Sequence, residues 1–231
     1  MKIGVICAME EEIRTLRAQL DGESERQFAS QHYYEGTIEG IDVVMVECGI
    51  GKVQSAMTTA VLINQYQPDV VINTGSAGGI GEGLHIGDVV IASAVAYHDV
   101  DSTAFGYLPG QLPDQPQKFA TDPDLVDAIA KAATTVDLTT HVGLIVSGDQ
   151  FINSTASIQR IHGIYPDALA SEMEGAAIGQ VATQFHVPFV VIRAMSDGGN
   201  EEASVNFDDF IIEAGKQSAA MLLAYIHQLA A

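Results

Sequence analysis

Three stretches of this sequence put carboxylates where a buried strand gives way to a helix or a turn, positions from which a side chain can act on a bound molecule. Glu10-Glu11-Glu12 follows the apolar run from Ile3 to Met9 directly and opens a helix. Acids in a first helical turn suit the positive end of the helix dipole, so this triplet has a sufficient structural reason beside the chemical one. Ser171-Glu172-Met173-Glu174-Gly175-Ala176-Ala177 sets acids just ahead of a helix of small residues. Such a helix packs closely on a sheet and leaves Glu174 at its mouth. Arg193-Ala194-Met195-Ser196-Asp197-Gly198-Gly199 ends an apolar strand on a base, a carboxylate and two glycines. A turn needs the glycines but has no need of Arg193 and Asp197, so this segment points most strongly to chemistry.

Other motifs are excluded by their spacing. Gly49-Ile50-Gly51-Lys52 shares its last residues with a phosphate-binding loop, but Val46 stands at the first glycine position and Val53 replaces Ser/Thr. The backbone cradle and the magnesium ligand are therefore both missing. The run Gly75–Gly83 lacks the G-x-G-x-x-G spacing and leads towards a strand, which speaks against a dinucleotide fold. It predicts a flexible turn at the C-terminal end of a strand, where open α/β sheets bind ligands, or else a plain connection. No G-x-S-x-G elbow is present, so Ser76 is not an acyl-transfer nucleophile. His98-Asp99-Val100-Asp101 groups possible metal ligands, yet nothing elsewhere has metal spacing, and the start of a solvated loop is the simpler reading. No metal and no cofactor is expected.

The elements that must carry these residues follow from periodicity. Met1–Ala8 reads as a buried strand, followed by a helix from about Glu10 to Leu20. Tyr33–Ile38 and Ile41–Glu47 flank a turn at Glu39–Gly40 and predict a hairpin. Val53, Ala56, Met57, Ala60 and Val61 recur with helical period over Lys52–Tyr66. Strands are expected at Asp69–Thr74, Asp88–Ala96, His141–Ser147 and Pro188–Ala194, and helices at Asp124–Ala133 and Gly175–Phe185. Residues 101–118, with Pro109, Pro113 and Pro116, read as a long loop of the kind that closes over ligands. A last helix is expected with Asn206 as its cap, Asp208 and Asp209 at its positive end, and a stripe from Phe207 to Leu229. Alternating strands and helices without a linker or repeat predict one α/β domain over residues 1–231, a central mixed β-sheet flanked by α-helices.

Composition narrows the partners. Thirty acids against ten bases give a formal charge of −20, which repels phosphodiester backbones and anionic lipid. Nucleic acid and membranes are not expected partners, and no apolar run approaches the roughly 20 residues of a membrane span. Cys7 and Cys48 each sit in an apolar strand-like run, too far apart for a Cys-x-x-Cys pair, and read as buried reduced thiols. With no cleavage site after the first strand, a cytoplasmic protein is expected.

Taken in order, several stretches resemble the 5′-methylthioadenosine/S-adenosylhomocysteine nucleosidases of the nucleoside phosphorylase superfamily. The matching pieces are Gly4–Glu12, Asn73–Gly79, Ile86–Val90, Ser147–Phe151, Glu172–Ala177 and Arg193–Asp197, and the similarity extends over essentially the whole chain. The resemblance implies hydrolysis of the N-glycosidic bond of methylthioadenosine and S-adenosylhomocysteine, and through it a part in methionine salvage. Breaking such a bond passes through a ribosyl cation-like transition state, and a general acid and a general base on opposite faces can serve it. By the same resemblance Asp197 protonates adenine N7, and Glu12 activates the attacking water with Ser76 and Arg193 helping to position that region. Glu174 accepts hydrogen bonds from the ribose hydroxyls, Met173 packs under the sugar, Phe151 stacks on the purine and the Ile152 backbone reads its edge. Ala8, Met9, Ile50, Gly78, Ser196 and Phe207 complete the implied substrate contacts.

An acid at Asp197 has to hold its proton near neutral pH, and burial together with Glu201 or Glu202 is expected to raise its pKa. The resemblance further implies a homodimer whose long loop covers the neighbour's pocket, with Val100, Phe105, Tyr107 and Pro113 as the apolar cover over the thioether. Two other functions remain to be weighed. A phosphorylase needs an anion site, and Arg193 is the one base among these motifs. A non-catalytic nucleoside-binding module has no use for an opposed acid and base.

Overall fold

The computed structural model describes residues 1–231. β1 (Lys2–Cys7) is paired in parallel on both edges, with β4 (Ile41–Glu47) and β5 (Val70–Gly79). A strand paired on both sides and covered on both faces must be apolar throughout, which is why this segment shows no polar alternation. Its residues still divide by side. Ile3, Val5 and Cys7 pack with Ile13 and Leu16 of α1 (Glu10–Arg17), with α3 (Pro123–Ala133) and with α6 (Ala203–Ala230). Ile6 packs on the other face, with Leu62, Ile63 and Tyr66 of α2 (Lys52–Tyr66) and with α5 (Gly175–Gln184). Two helical layers thus sandwich one sheet, and the period of two in β1 assigns each side chain to its layer.

The sheet has ten strands. Beyond β4 it runs through β3 (Gln31–Ile38) to the edge strand β2 (Asp21–Phe28). On the other side of β1 it closes on itself: β5 pairs with β9 (Ala168–Glu172), β9 with β8 (Thr140–Ser147), and β8 with β6 (Val89–Tyr97). β6 then pairs with β10 (Phe189–Asp197), and β10 returns to β5. The short β7 (Lys118–Ala120) adds to β6, and α4 (Thr155–Ile164) covers a third, smaller core around Leu144, Val146 and Tyr165. The expected mixed sheet between helices is therefore present, with part of it rolled into a closed circuit.

Several expectations need correction. Gly75–Gly79 is not a flexible turn but the second half of β5, paired with β10 through Gly75↔Arg193, Ser76↔Ala194 and Ala77↔Met195. Glycine is needed here for clearance: a Cβ on Gly75 would stand 2.6 Å from Glu12 Oε1, and one on Gly78 2.9 Å from Asp197 Oδ1. β10 runs on past Ala194 to Asp197, so Arg193 lies inside a strand and the turn begins at Gly198. α6 starts at Ala203, and Asn206 is not its cap, because its N–H already donates to the Glu202 carbonyl at 3.1 Å. Within the expected stripe Ile211, Ala214, Ser218, Met221, Leu222, Tyr225 and Ile226 are buried, whereas Phe210 and Leu229 are exposed. Periodicity along the chain does not predict β2, β7, α4 or β9. β2 (DGESERQF) carries almost no apolar residue, because it is a solvated edge strand held by its ladder to β3. No helix is long and apolar enough to cross a membrane.

Candidate active site

The C-terminal ends of β1, β5, β9 and β10 open into one cleft, the place where ligands of open α/β sheets bind. The junction of β1 and α1 delivers Ala8, Met9 and Glu12 to it, and β5 delivers Ser76 and Gly78. Met173 and Glu174 come from the junction of β9 and α5, and Ser196 and Asp197 from the end of β10. Ile50, Phe151 and Phe207 form its apolar outer wall, the last two edge-on at 5.7 Å. Ile152 is buried and lines a smaller recess that adjoins the cleft and shares Gly78, Phe151, Met173 and Asp197 with it.

Glu12 is buried because α1 starts as soon as β1 ends, which folds its third residue back over the strand end. Its Oε2 accepts the N–H groups of Ala8 at 2.8 Å and Met9 at 3.3 Å. Its Oε1 accepts the N–H of Ser76 at 2.9 Å and the Ser76 hydroxyl at 3.0 Å. Four donors, two from the β1–α1 junction and two from Ser76 of β5, thus fix the carboxylate, and the first-turn position that has a helix-dipole explanation turns out to face inward.

Asp197 is placed by an irregularity. Met195 pairs with Ala77 and Asp197 with Gly78, so Ser196 is an extra residue in β10 and makes a bulge. Bulges re-aim side chains beside active sites, and this one lays the Asp197 carboxyl over Gly78. Asp197 Oδ2 accepts the Ser196 hydroxyl at 2.9 Å and Oδ1 the Gly199 N–H at 2.8 Å. Burial raises the Asp197 pKa above the usual carboxylate range, against the opposing pull of those two hydrogen bonds. The expected help from Glu201 and Glu202 is absent: Glu201 is turned to solvent and holds the Thr155 N–H at 2.9 Å.

Between these carboxyls lies a buried ionic cluster. Arg193 is 0% exposed. Its Nη2 donates to Asn73 Oδ1 at 2.7 Å, to Glu172 Oε2, and more weakly to Glu174 Oε2 at 3.4 Å. Arg193 Nη1 has no protein acceptor and lies over Gly75 beside Glu12 Oε1. Glu174 stands at the N-cap position of α5 without a side-chain bond to that helix, and its Oε1 instead accepts the Gly51 N–H at 2.9 Å. Burial first, and the adjacent Glu172 charge second, push its pKa up to about 8.

Twelve of the fourteen expected catalytic and substrate residues line this cleft directly, with Ile152 beside it and Arg193 behind it. Val100, Phe105, Tyr107 and Pro113 do not line it, and Phe105 is 82% exposed. Ala77, Ser171 and Glu172 line the cleft without having been singled out. Glu172 matters most, since it also accepts the N–H groups of Glu174 and Gly175 and the Ser147 hydroxyl. Its position two residues before Glu174, at the end of a strand, was the available signal. None of the lining residues is basic, so an anion entering the cleft would meet carboxylates.

Residues 2–227 match the family model of the phosphorylase superfamily. A 5′-methylthioadenosine/S-adenosylhomocysteine nucleosidase from Haemophilus influenzae is 46% identical over 99% of this chain and 100% of its own length. The nucleosidase of the same name from S. pneumoniae, solved with the transition-state inhibitor MT-ImmA, superposes with a TM-score of 0.95 at 50% identity over 99% of this chain and 100% of that one. The Neisseria meningitidis enzyme in complex with methylthio-immucillin-A gives a TM-score of 0.97 at 44% identity, covering 98% and 99% of the two chains.

Proposed function

This chain belongs to the phosphorylase superfamily and, within it, to the 5′-methylthioadenosine/S-adenosylhomocysteine nucleosidases, and from that premise we propose that its cleft hydrolyses the N-glycosidic bond of those two nucleosides, releasing adenine and the 5′-thioribose. The observation that carries this reading is a pair of buried carboxyls, Glu12 and Asp197, in one cleft with no cation on its wall. Asp197, whose pKa is raised by burial, gives its proton to adenine N7 as the C1′–N9 bond breaks. Glu12 takes a proton from water as the water oxygen bonds C1′. The Ser76 hydroxyl, which lines the cleft beside Glu12, is the polar group that can orient that water, and Arg193 braces this region from behind the wall. Glu174 holds the ribose hydroxyls over Met173, and Phe151, Phe207 and the Ile152 backbone hold the purine.

Phosphorolysis is disfavoured because no base lines the cleft, and the nearby Arg193 is fully buried behind it with its Nη2 held by Glu172 and Glu174. A silent binding module leaves the opposed acid and base unexplained. Hydrolysis of methylthioadenosine feeds methionine salvage. Adenine release in phosphate-free buffer is the test. Prompt release, unchanged by added phosphate, is expected, and release that starts only on adding phosphate overturns the hydrolytic reading.

The same reading includes a homodimer in which Val100, Phe105, Tyr107 and Pro113 of one copy cover the other's thioether end. The exposed Phe105 on a loop that does not reach its own cleft supports it. A dilution series that yields a fully active monomer counts against it. A cytoplasmic setting fits the two free, buried thiols, Cys7 and Cys48.

A further inference from the structure

α2 begins without a cap of its own. Its N-cap residue is Gly51, and the first helical N–H, that of Lys52, donates at 2.8 Å to Asp149 Oδ1, 97 residues further along the chain. Gly51 has φ 99°, and a Cβ there would stand 3.1 Å from Asp149 Oδ1, so glycine both accepts the backbone angle and clears the borrowed cap. Asp149 is itself clamped. Its N–H donates to Asp99 Oδ2 at 2.9 Å, and Lys52 Nζ reaches Asp99 Oδ2 at 2.6 Å and Asp149 Oδ2 at 3.7 Å. The Asp99 side chain is only 11% exposed. Burial pushes its carboxyl up, but the hydrogen bonds from Lys52 and the Asp149 N–H outweigh burial and hold it below its ordinary range. None of these three residues lines the cleft. Their link to it is the peptide just before Lys52, whose Gly51 N–H donates to Glu174 Oε1 at 2.9 Å.

We propose that Asp149, clamped by Lys52 and Asp99, is a positioning residue for Glu174: by capping α2 from outside the helix it aims the Gly51 N–H at the Glu174 carboxylate and so presents that carboxylate to the ribose. The proposal rests on the reading of Glu174 as the ribose acceptor. It separates the two halves of the substrate. The sugar depends on the clasp through Gly51 and Glu174, whereas adenine alone lacks the hydroxyls that this reading gives Glu174 to hold.

The test is calorimetric titration of the full chain with a non-hydrolysable 5′-methylthio nucleoside analogue and, separately, with adenine. The proteins are wild type, Asp149→Ala, Asp149→Asn, Glu174→Ala and the Asp149→Ala/Glu174→Ala double variant. Asp149→Ala removes the acceptor of the Lys52 N–H and so frees the Gly51 peptide, and is expected to weaken the nucleoside analogue about tenfold and to leave adenine within about twofold. Asp149→Asn keeps an amide oxygen in the capping position and is expected to restore wild-type affinity. In the Glu174→Ala background the Asp149 change is expected to add nothing, because the group it positions is gone. Equal losses for nucleoside and adenine, or a full tenfold penalty that persists without Glu174, overturn the proposal. Unchanged nucleoside affinity in Glu174→Ala alone removes the ribose assignment itself, and the proposal with it. Lys52→Met, which loosens the clamp but leaves the capping carboxylate, provides the same comparison if Asp149→Ala does not fold; a loss confined to the nucleoside is expected, and a loss shared with adenine refutes.

Discussion

Gly75→Ala is the change that tests most directly how this cleft is built. Gly75 lies inside β5 and is not among the positive-φ residues, so its backbone accepts alanine and the whole effect is steric. The new methyl would stand 2.6 Å from Glu12 Oε1 and 2.7 Å from Glu12 Cδ, and would also strike Arg193 Nη1. Restoring ordinary contact of at least 3.4 Å displaces the Glu12 carboxylate by about 0.8 Å. Four hydrogen bonds hold that carboxylate, and Nη2 of the neighbouring guanidinium is held by three acceptors, so neither group can step aside and keep its partners. Overpacking of this kind costs about 1–3 kcal/mol of stability, or roughly 2–12 °C in Tm for a chain of this size. A misplacement of about 1 Å at a reacting group costs on the order of 10²-fold in rate. The assay is adenine release from methylthioadenosine, read as kcat/KM beside a thermal melt. A fall of about 10²-fold or more in kcat/KM is expected in a protein that still melts cooperatively. Gly163→Ala serves as control: a Cβ there meets nothing, and helix propensity predicts equal or greater stability with unchanged rate. A Gly75→Ala enzyme with wild-type kcat/KM would refute the packing of Glu12 and Arg193 over this glycine.

Asp197→Asn keeps the size of the side chain but removes its proton, and is expected to lower turnover by about 10²–10⁴-fold while the Kd for a non-hydrolysable analogue stays within about threefold; near-normal adenine release excludes Asp197 as the acid. Glu12→Gln is expected to behave alike in rate and binding, and an active variant removes Glu12 as the base. Glu174 has a folded-state pKa of about 8 against an ordinary 4.5, so its effect on stability is fully favourable below pH 4.5 and is lost as pH rises towards 8. Glu174→Gln is neutral at every pH, so its Tm relative to wild type is expected to climb between pH 4.5 and 8. A Tm difference that stays flat over that range refutes the assigned burial.

Much of the framework was legible along the chain. β1 and the body of β10 announce themselves as unbroken apolar runs because both are paired on two edges and covered on two faces. α2 and α3 follow from helical period to within a residue. Of the site, the acids of the Glu10–Glu12, Glu172–Glu174 and Arg193–Asp197 stretches were visible as carboxylates at strand ends. Their roles came from resemblance to a family, since the pattern of Glu10-Glu11-Glu12 alone does not say which of the three turns inward. β2 was missed because an exposed edge strand needs no apolar face. The start of α6 lies four residues ahead of the expected one because Asn206, a good cap by type, is already in the helical ladder.

Sequence by itself determined the local quantities: which segments are apolar, with what period, and where acids interrupt them. Those depend on neighbours a few residues apart. Tertiary structure alone decided that the glycine run is a strand, because its reason is the passage of Glu12, Arg193 and Asp197 over it from β1 and β10. It also decided that Glu172 joins Arg193, and that Asp149 caps a helix 97 residues away. Hydrogen bonds and buried charges are satisfied by whatever group the fold brings within about 3 Å, and no pattern along the chain encodes that distance.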